Sequence, residues 1–300
     1  MKKILFSVTL IIICIFAIIS CKKKGGLGPS SIVDSVNIVP VIPNPRVTSP
    51  VINVYLENSG SMDGYVNGNT GFKQSIYYYL SELQGKKAAS SINLFYINSK
   101  IISRGSDVKS FIHNTNPSTF KAGGGNLGTS DIAVVLDTLL SNRKNGEVSL
   151  FISDCIVSPG KAYSSSSPAN IDSYLLQQRT DMTTIFRREL NRDKNLTVVI
   201  CQLQSYFDGK FFNRVDQWRN YQGKRPFYFW LIGNMRQIKC IIDKIPWSDF
   251  KGKGAEIENL YILTSPAQQV KYAIVNADCW GSFERERSHS ADASKTICKV

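Results

Sequence analysis

From residue 50 onwards, apolar runs of strand length alternate with amphipathic stretches of helical length, and this alternation limits the fold to a small set of architectures. The run VINVYLE at 51–57 is apolar almost throughout, as expected of a strand that is buried on both faces. The next stretch, FKQSIYYYLSEL at 72–83, repeats its apolar residues at helical spacing. These residues are Ile76, Tyr79, Leu80 and Leu83.

The same two patterns continue along the chain. Strands are predicted at 91–97, 147–153, 195–203, 226–233 and 259–265, with a short run at 100–103 that pairs with the second strand as a hairpin. Helices are predicted at 108–114, 131–142, 173–190 and 235–245. Strands that alternate with helices favour parallel pairing. We therefore predict an α/β fold, with a doubly wound, mostly parallel sheet and helices on both of its faces.

The N-terminus has the layout of a secretory signal. Lys2 and Lys3 precede an uncharged apolar stretch at 4–19, and Cys21 follows shortly after it. The stretch is shorter than the roughly 20 apolar residues of a membrane span. It resembles a bacterial lipoprotein signal, which implies that Cys21 becomes the acylated first residue of the mature chain. An uncleaved anchor helix is the alternative, and either arrangement places 25–300 outside the cytoplasm, tethered to a membrane.

Composition and pattern divide the chain into four parts. Residues 1–20 are predicted to be the signal peptide, and 21–49, rich in Gly, Ser and Pro, are predicted to be a tether. The strands and helices place a folded domain at 50–265. The pattern assigns no architecture to the C-terminal extension at 266–300.

The charge balance is basic, with 36 Lys and Arg residues against 23 Asp and Glu residues and a net charge of +13. This balance favours acidic partners. The sequence shows no concentrated basic stripe with interleaved aromatic residues, so a nucleic-acid partner is not expected. The chain has two histidines, His113 and His289, which excludes chemistry that needs several imidazoles, such as a His-rich zinc centre.

Polar residues follow the predicted strands at the points where the strands end. The segment ENSGS at 57–61 leaves the first strand, and a Gly-rich loop at 121–130 precedes a predicted helix. Ligands of wound sheets bind at the carboxyl ends of the strands. Oxygen ligands there suit a hard divalent cation, namely Mg²⁺, Mn²⁺ or Ca²⁺. We therefore expect two carboxylates and three hydroxyls to converge, those of Glu57, Asp154, Ser59, Ser61 and Thr129.

The sequence ENSGSM at 57–62 resembles the D-x-S-x-S motif of von Willebrand factor type A domains, whose metal-ion-dependent adhesion site also takes a distant Thr and an Asp. By position, Ser59 and Ser61 match the two serines. Thr129 in GTSDI resembles the threonine, and Asp154 in LFISD resembles the acid. Glu57 stands where the family has Asp, which shifts the carboxylate by one methylene. With that shift, either the affinity for the metal falls or the carboxylate reaches the metal through a water.

The motif part of this resemblance covers about residues 50–155, and the later strands and helices to about 245 fit the rest of such a fold. The family implies a metal with an open coordination position, which an acidic side chain of a partner protein fills. The expected protein is therefore a lipid-anchored component of the bacterial cell envelope. It is expected to bind an acidic protein partner rather than to catalyse a reaction, with Mg²⁺ or Mn²⁺, or else Ca²⁺, at the site.

Other interpretations stay open. Segment 57–62 is also typical of a turn with an Asn or Ser cap ahead of a helix. A cation held by Glu57 and Asp154 would suit a metal-dependent phosphohydrolase, although no catalytic His, G-x-S-x-G elbow or phosphate-loop Lys is found in the sequence. A third possibility is a structural envelope lipoprotein with a vestigial site. Residues 205–225, which are rich in aromatic and basic side chains, are interpreted as an insert between strands that caps the sheet edge.

Overall fold

A computed structural model describes residues 48–122, 124–128, 131–157, 168–213, 217–250 and 252–265, and two short strands, Glu284–Arg285 and Cys298–Lys299. The signal peptide with Cys21, nearly all of the tether, and Thr129 lie outside the described residues, as does most of the extension. The chain divides into two compact units, Met1–Ala267 and Gln268–Val300. In the second unit the two short strands pair antiparallel. Across the described segments, no helix combines the length and the apolar character needed to cross a membrane.

The centre of the first unit is a mixed sheet, built in the described segments from seven strands. They are β1 (Val51–Glu57), β2 (Ser91–Ile97), β3 (Ile101–Ser103), β4 (Glu147–Ser153), β5 (Leu196–Phe212), β6 (Trp218–Asn234) and β7 (Glu256–Thr264). Their order across the sheet is β3-β2-β1-β4-β6-β5-β7. Strand β1 pairs parallel with β2 and with β4, and the other neighbouring pairs are antiparallel.

The prediction of a doubly wound, mostly parallel sheet is therefore wrong, although the fold is α/β. The reason is the connection between β5 and β6. Each of these strands is 17 residues long, and the short segment 213–217 joins them, so they form a hairpin. A parallel pair needs a crossover of a dozen or more residues, whereas a hairpin pairs antiparallel. Segment 205–225 is accordingly not an insert: most of it is the outer part of two long strands.

The helices alternate with the strands, as the sequence predicted. They are α1 (Asp63–Val66), α2 (Gly71–Gly85), α3 (Val108–Asn114), α4 (Pro117–Ala122), α5 (Ile132–Ser141), α6 (Pro168–Arg192) and α7 (Met235–Lys244), with 3₁₀ turns at Gly60–Met62 and Trp247–Phe250. The predicted helices at 72–83, 108–114, 131–142, 173–190 and 235–245 are confirmed. Helices α1 and α4 were not predicted, and both are short. Helix α1 follows the turn at the end of β1, and α4 ends at the start of the Gly-rich loop.

Two hydrophobic cores lie on opposite faces of the sheet, because alternate residues of a strand point to opposite sides. On strand β5, Val199 and Cys201 belong to one core and Val198 and Ile200 belong to the other. The first core includes apolar residues of α2, α3 and α7, and the second includes those of α5 and α6. Helices therefore cover both faces of the sheet.

The outer part of the β5–β6 hairpin, residues 205–212 with 218–225, is called the distal hairpin below. It packs closely on α1. A Cβ added to Gly64 would come within 2.4 Å of the Phe207 ring, and a Cβ added to Gly209 would come within 2.7 Å of the Gly64 Cα. The Tyr65 ring lies 4.9 Å from the Phe207 ring, edge to face. These glycines let α1 and the distal hairpin approach closely, next to the turn that follows β1.

Replacement of Gly64 with Ala tests this close approach. The added methyl group has to displace the fully buried Phe207 ring, so we expect Gly64→Ala to lower the free energy of unfolding by about 1–3 kcal/mol. Gly85→Ala at the end of α2 is the matched control, because its Cβ would meet nothing within 4 Å. Urea unfolding of both variants measures the difference. Equal stability of the two would show that the distal hairpin does not pack on α1.

Candidate functional site

The turn that follows β1 carries the residues of the proposed motif, and neighbouring segments hold its backbone in place. The Asn58 amide donates to the Ile97 carbonyl at 3.1 Å, and the Gly60 amide donates to the Leu127 carbonyl at 3.1 Å. Ser59 is extended, with φ −73° and ψ 164°, and a 3₁₀ turn begins directly after it. The bond to Leu127 brings the Gly-rich loop to this turn. Thr129, two residues further along that loop, lies outside the described residues.

The two serines of the turn meet Asp154 at the end of β4. The Ser59 and Ser61 Oγ atoms lie 3.1 Å apart, and Ser61 Oγ donates a hydrogen bond of 3.1 Å to Asp154 Oδ1. All three residues are buried, with Asp154 only 2% exposed. Since β1 and β4 are parallel neighbours, their carboxyl ends lie at the same edge of the sheet. The structure thus brings together three of the residues that were predicted to converge.

Glu57 contacts a residue that the sequence analysis did not single out. A Glu57 carboxylate oxygen accepts a hydrogen bond from Ser153 Oγ, which itself accepts one of 2.7 Å from the Cys155 amide. Glu57 and Ser153 are both buried. The longer carboxylate at position 57 therefore joins the end of β1 to the end of β4.

The chain turns sharply after Asp154. Cys155 has a φ of +53°, a left-handed conformation that residues other than Gly rarely adopt. Asp154 Oδ1 also accepts a hydrogen bond of 3.2 Å from the Ile156 amide, which holds the carboxylate in this turn. Burial raises the pKa of the Cys155 thiol, so this thiol stays protonated at neutral pH. Strained backbone of this kind persists where the surrounding structure fixes the local conformation, and it is frequent at functional sites.

Arg225, which comes from the distal hairpin, was not predicted as a site residue. Its Nη2 lies 3.5 Å from Asp154 Oδ2, and the residue is only 7% exposed. The guanidinium carbon lies 4.5 Å from the centre of the Phe207 ring and 5.1 Å from that of Phe211, within cation–π distance. Nothing local in the sequence marks this arginine, because its contacts depend on how the hairpin pairs and where it packs.

The contact between Asp154 and Arg225 is an ion pair without a hydrogen bond. Within the described part of the chain, Asp154 Oδ2 and Arg225 Nη1 are buried and have no hydrogen-bond partner. A buried polar atom without such a partner costs about 1–3 kcal/mol. Burial raises the pKa of the Asp154 carboxyl, while Arg225 and the hydrogen bonds from Ile156 and Ser61 act in the opposite direction. Among the described residues, one oxygen of Asp154 thus has no hydrogen-bond partner at the site.

Comparison with models of protein families, with curated proteins and with solved structures found no match to this chain.

The donor chemistry fits a divalent cation. Serine hydroxyls and a carboxylate are hard oxygen ligands of the kind that Mg²⁺ and Mn²⁺ take, with water at the remaining positions. The unsatisfied Asp154 Oδ2 is a further acceptor there. The described residues include no cluster of three or more His, Cys, Asp or Glu side chains that could hold a metal, so a cation would depend on the serine hydroxyls. Arg225 adds a positive charge that opposes cation binding.

The raised pKa of Asp154 predicts how stability changes with pH in a metal-free, chelator-treated protein. When the pKa is higher in the folded than in the unfolded state, protonation favours folding. This contribution is complete below the unfolded pKa, about 3.9, and is lost as the pH rises through the folded value. We therefore expect the free energy of unfolding of the wild type to fall relative to that of Asp154→Asn as the pH rises from about 4 to about 7.

Urea unfolding at a series of pH values measures this difference, which is at most about 1.4 kcal/mol per pH unit. Asp154→Asn also leaves Arg225 without its charge partner. Because an arginine does not titrate in this range, the loss of this ion pair shifts the plot of unfolding free energy against pH without changing its slope. Parallel curves, or a wild type that gains stability relative to the variant, would contradict the raised pKa.

Proposed function

We propose that the protein is a binding module that holds an acidic protein partner through a divalent cation, Mg²⁺ or Mn²⁺, at the carboxyl ends of β1 and β4. Ser59, Ser61 and Asp154 would hold the cation. The observation that carries the proposal is the hydrogen bond from Ser61 to Asp154, which joins residues 93 positions apart in the chain. The ENSGSM segment resembles the adhesion motif of von Willebrand factor type A domains in the same residues, and this supports the proposal at the level of the motif.

The charges of the site favour an anionic partner. Glu57 and Asp154 contribute two negative charges and Arg225 contributes one positive charge, so a divalent cation would leave a net charge of +1 (2 + 1 − 2). The chain as a whole carries +13, which attracts acidic surfaces over a longer range. A carboxylate of the partner would complete the coordination of the cation, because hard cations prefer oxygen ligands.

Arg225 also favours a second candidate function, that of a structural envelope protein without a bound cation. Its guanidinium already lies at ion-pair distance from Asp154 and offsets the negative charge there. In that case the serines and Asp154 only close the turns at the ends of β1 and β4. Metal titration separates the two functions.

We expect the chelator-treated full-length protein to bind one Mn²⁺ ion, with a dissociation constant on the order of 10⁻⁴ to 10⁻³ M, by calorimetry and by electron paramagnetic resonance. Ser61→Ala should weaken binding by about tenfold or more because it removes a ligand oxygen, and Asp154→Asn should abolish it. Ser75→Ala is the matched control: Ser75 is also a buried serine, but its hydroxyl donates to the Phe72 carbonyl within α2.

Absence of Mn²⁺ binding by the wild type, or equal binding by the wild type and Ser61→Ala, would remove the cation from the proposal. The partner is tested by crosslinking in the protein's own envelope, with and without chelator. Crosslinks to an acidic protein should be lost with chelator and in Ser61→Ala, but kept in Ser75→Ala. Crosslinks that are the same in all of these conditions would instead support the structural candidate.

We also propose that the protein is anchored in the bacterial cell envelope by a lipid on Cys21, which supports a role at the membrane surface. The support is the sequence, where a basic start and an apolar stretch precede this cysteine. Metabolic labelling with palmitate should label the wild type and Cys14→Ala but not Cys21→Ala. Cys14 is the matched control because it lies inside the apolar stretch. Labelling of Cys21→Ala at the wild-type level would exclude this anchor.

A further inference from the structure

Arg225 is a buried cation with an incomplete set of partners. A buried guanidinium is usually retained with a paired carboxylate and several hydrogen bonds, often in a two-pronged arrangement. Here its Nη2 lies 3.5 Å from Asp154 Oδ2, too far for a strong hydrogen bond, and the described residues offer no hydrogen-bond partner to Nη1. The electrostatic attraction between Arg225 and Asp154 is therefore not reinforced by directional bonds.

Aromatic side chains surround the guanidinium. Its carbon is 4.5, 5.1 and 5.7 Å from the ring centres of Phe207, Phe211 and Tyr65. The Tyr65 hydroxyl donates a hydrogen bond of 2.6 Å to the carbonyl of Pro226, the next residue in β6. The distal hairpin and α1 together thus hold a positive charge beside the carboxylate that a divalent cation would use.

A cation at the serines and Asp154 and the guanidinium of Arg225 would share one carboxylate. Two positive charges at such close range repel each other, and burial makes this repulsion stronger than it would be in water. Arg225 must therefore weaken cation binding. Because coupling between two binding events is reciprocal, a bound cation must weaken the attachment of Arg225 to the same extent.

We propose that Arg225 is an internal counter-ion that competes with the divalent cation for Asp154, so that cation binding loosens the distal hairpin from the end of β4. This inference rests on the proposed function, because it concerns control of the same site. It makes the distal hairpin the part of the molecule that differs between the cation-free and the cation-bound state. The exposed Tyr206 and Trp218 of this hairpin would then present a changed surface to a partner when the cation binds.

The first test compares Mn²⁺ affinity in the full-length protein and in three variants, by calorimetry. Arg225→Met removes the charge and keeps an unbranched side chain among the aromatic rings, so it should raise the affinity by about tenfold or more. Arg225→Lys keeps the charge and should stay within about threefold of the wild type. Arg219→Met is the matched control, because Arg219 lies in the same hairpin, 5.6 Å from the Phe211 ring, but is exposed. Its affinity should not change.

The second test needs no variant and covers the case in which Arg225→Met does not fold. Hydrogen exchange of the distal hairpin amides is measured in the wild type with and without saturating Mn²⁺. Exchange there should become faster with Mn²⁺, while amides in α6, on the other face of the sheet, serve as the internal reference. Unchanged or slower exchange of the distal hairpin would overturn the proposed competition.

The outcomes distinguish this inference from the function on which it rests. Equal Mn²⁺ affinity in the wild type and Arg225→Met overturns the role of Arg225 and leaves the cation site intact. Binding by Arg225→Met alone supports the competition for Asp154 but removes the cation from the proposed function of the wild type. Absence of binding in every protein overturns both proposals.

Discussion

One carboxylate, Asp154, connects two differently built parts of the sheet. Through Ser61 it is joined to the turn after β1, in the part where β1 pairs parallel with its neighbours. Through Arg225 it is joined to the β5–β6 hairpin, in the antiparallel part. Strand β4 is the border between them, because it pairs parallel with β1 and antiparallel with β6. The geometry of the site depends on this border.

The direction of β6 decides which side chains reach the site. Its Tyr228 pairs with Ser153, the last residue of β4, and β6 runs antiparallel to β4. The residues that precede Tyr228 therefore extend past the carboxyl end of β4, and Arg225 is among them. In the parallel sheet that the sequence predicted, the same residues would have pointed to the opposite edge, far from Asp154. The error in the fold prediction and the failure to foresee Arg225 thus have one cause.

Much of the structure was predictable where the signals are local. The apolar run at 51–57, the helical spacing at 72–83 and the polar residues at strand ends each depend on a few neighbouring residues. They were enough to place Ser59, Ser61 and Asp154 near one another, because β1 and β4 are indeed parallel. The role of each as a ligand stays a prediction.

Pairing partners and strand direction were not predictable in the same way. Periodicity shows that a segment is a strand but not which way its neighbour runs. Residues 205–225 are largely polar and contain two glycines, which is typical of a loop, yet they pair residue for residue from Ser205↔Arg225 to Phe212↔Trp218. What keeps them extended is the long-range packing of Phe207 on Tyr65 and α1.

Pro226 lies where the distal hairpin meets the rest of β6, opposite Gln204. Proline has no backbone N–H, so it cannot donate a bond to the ladder at this position. Pro226 therefore contributes no amide hydrogen bond at the boundary between the part of β6 that pairs with β4 and the distal hairpin. Bending concentrated at Pro226 would let the distal hairpin move as a whole, while the rest of β6 stays paired between β4 and β5.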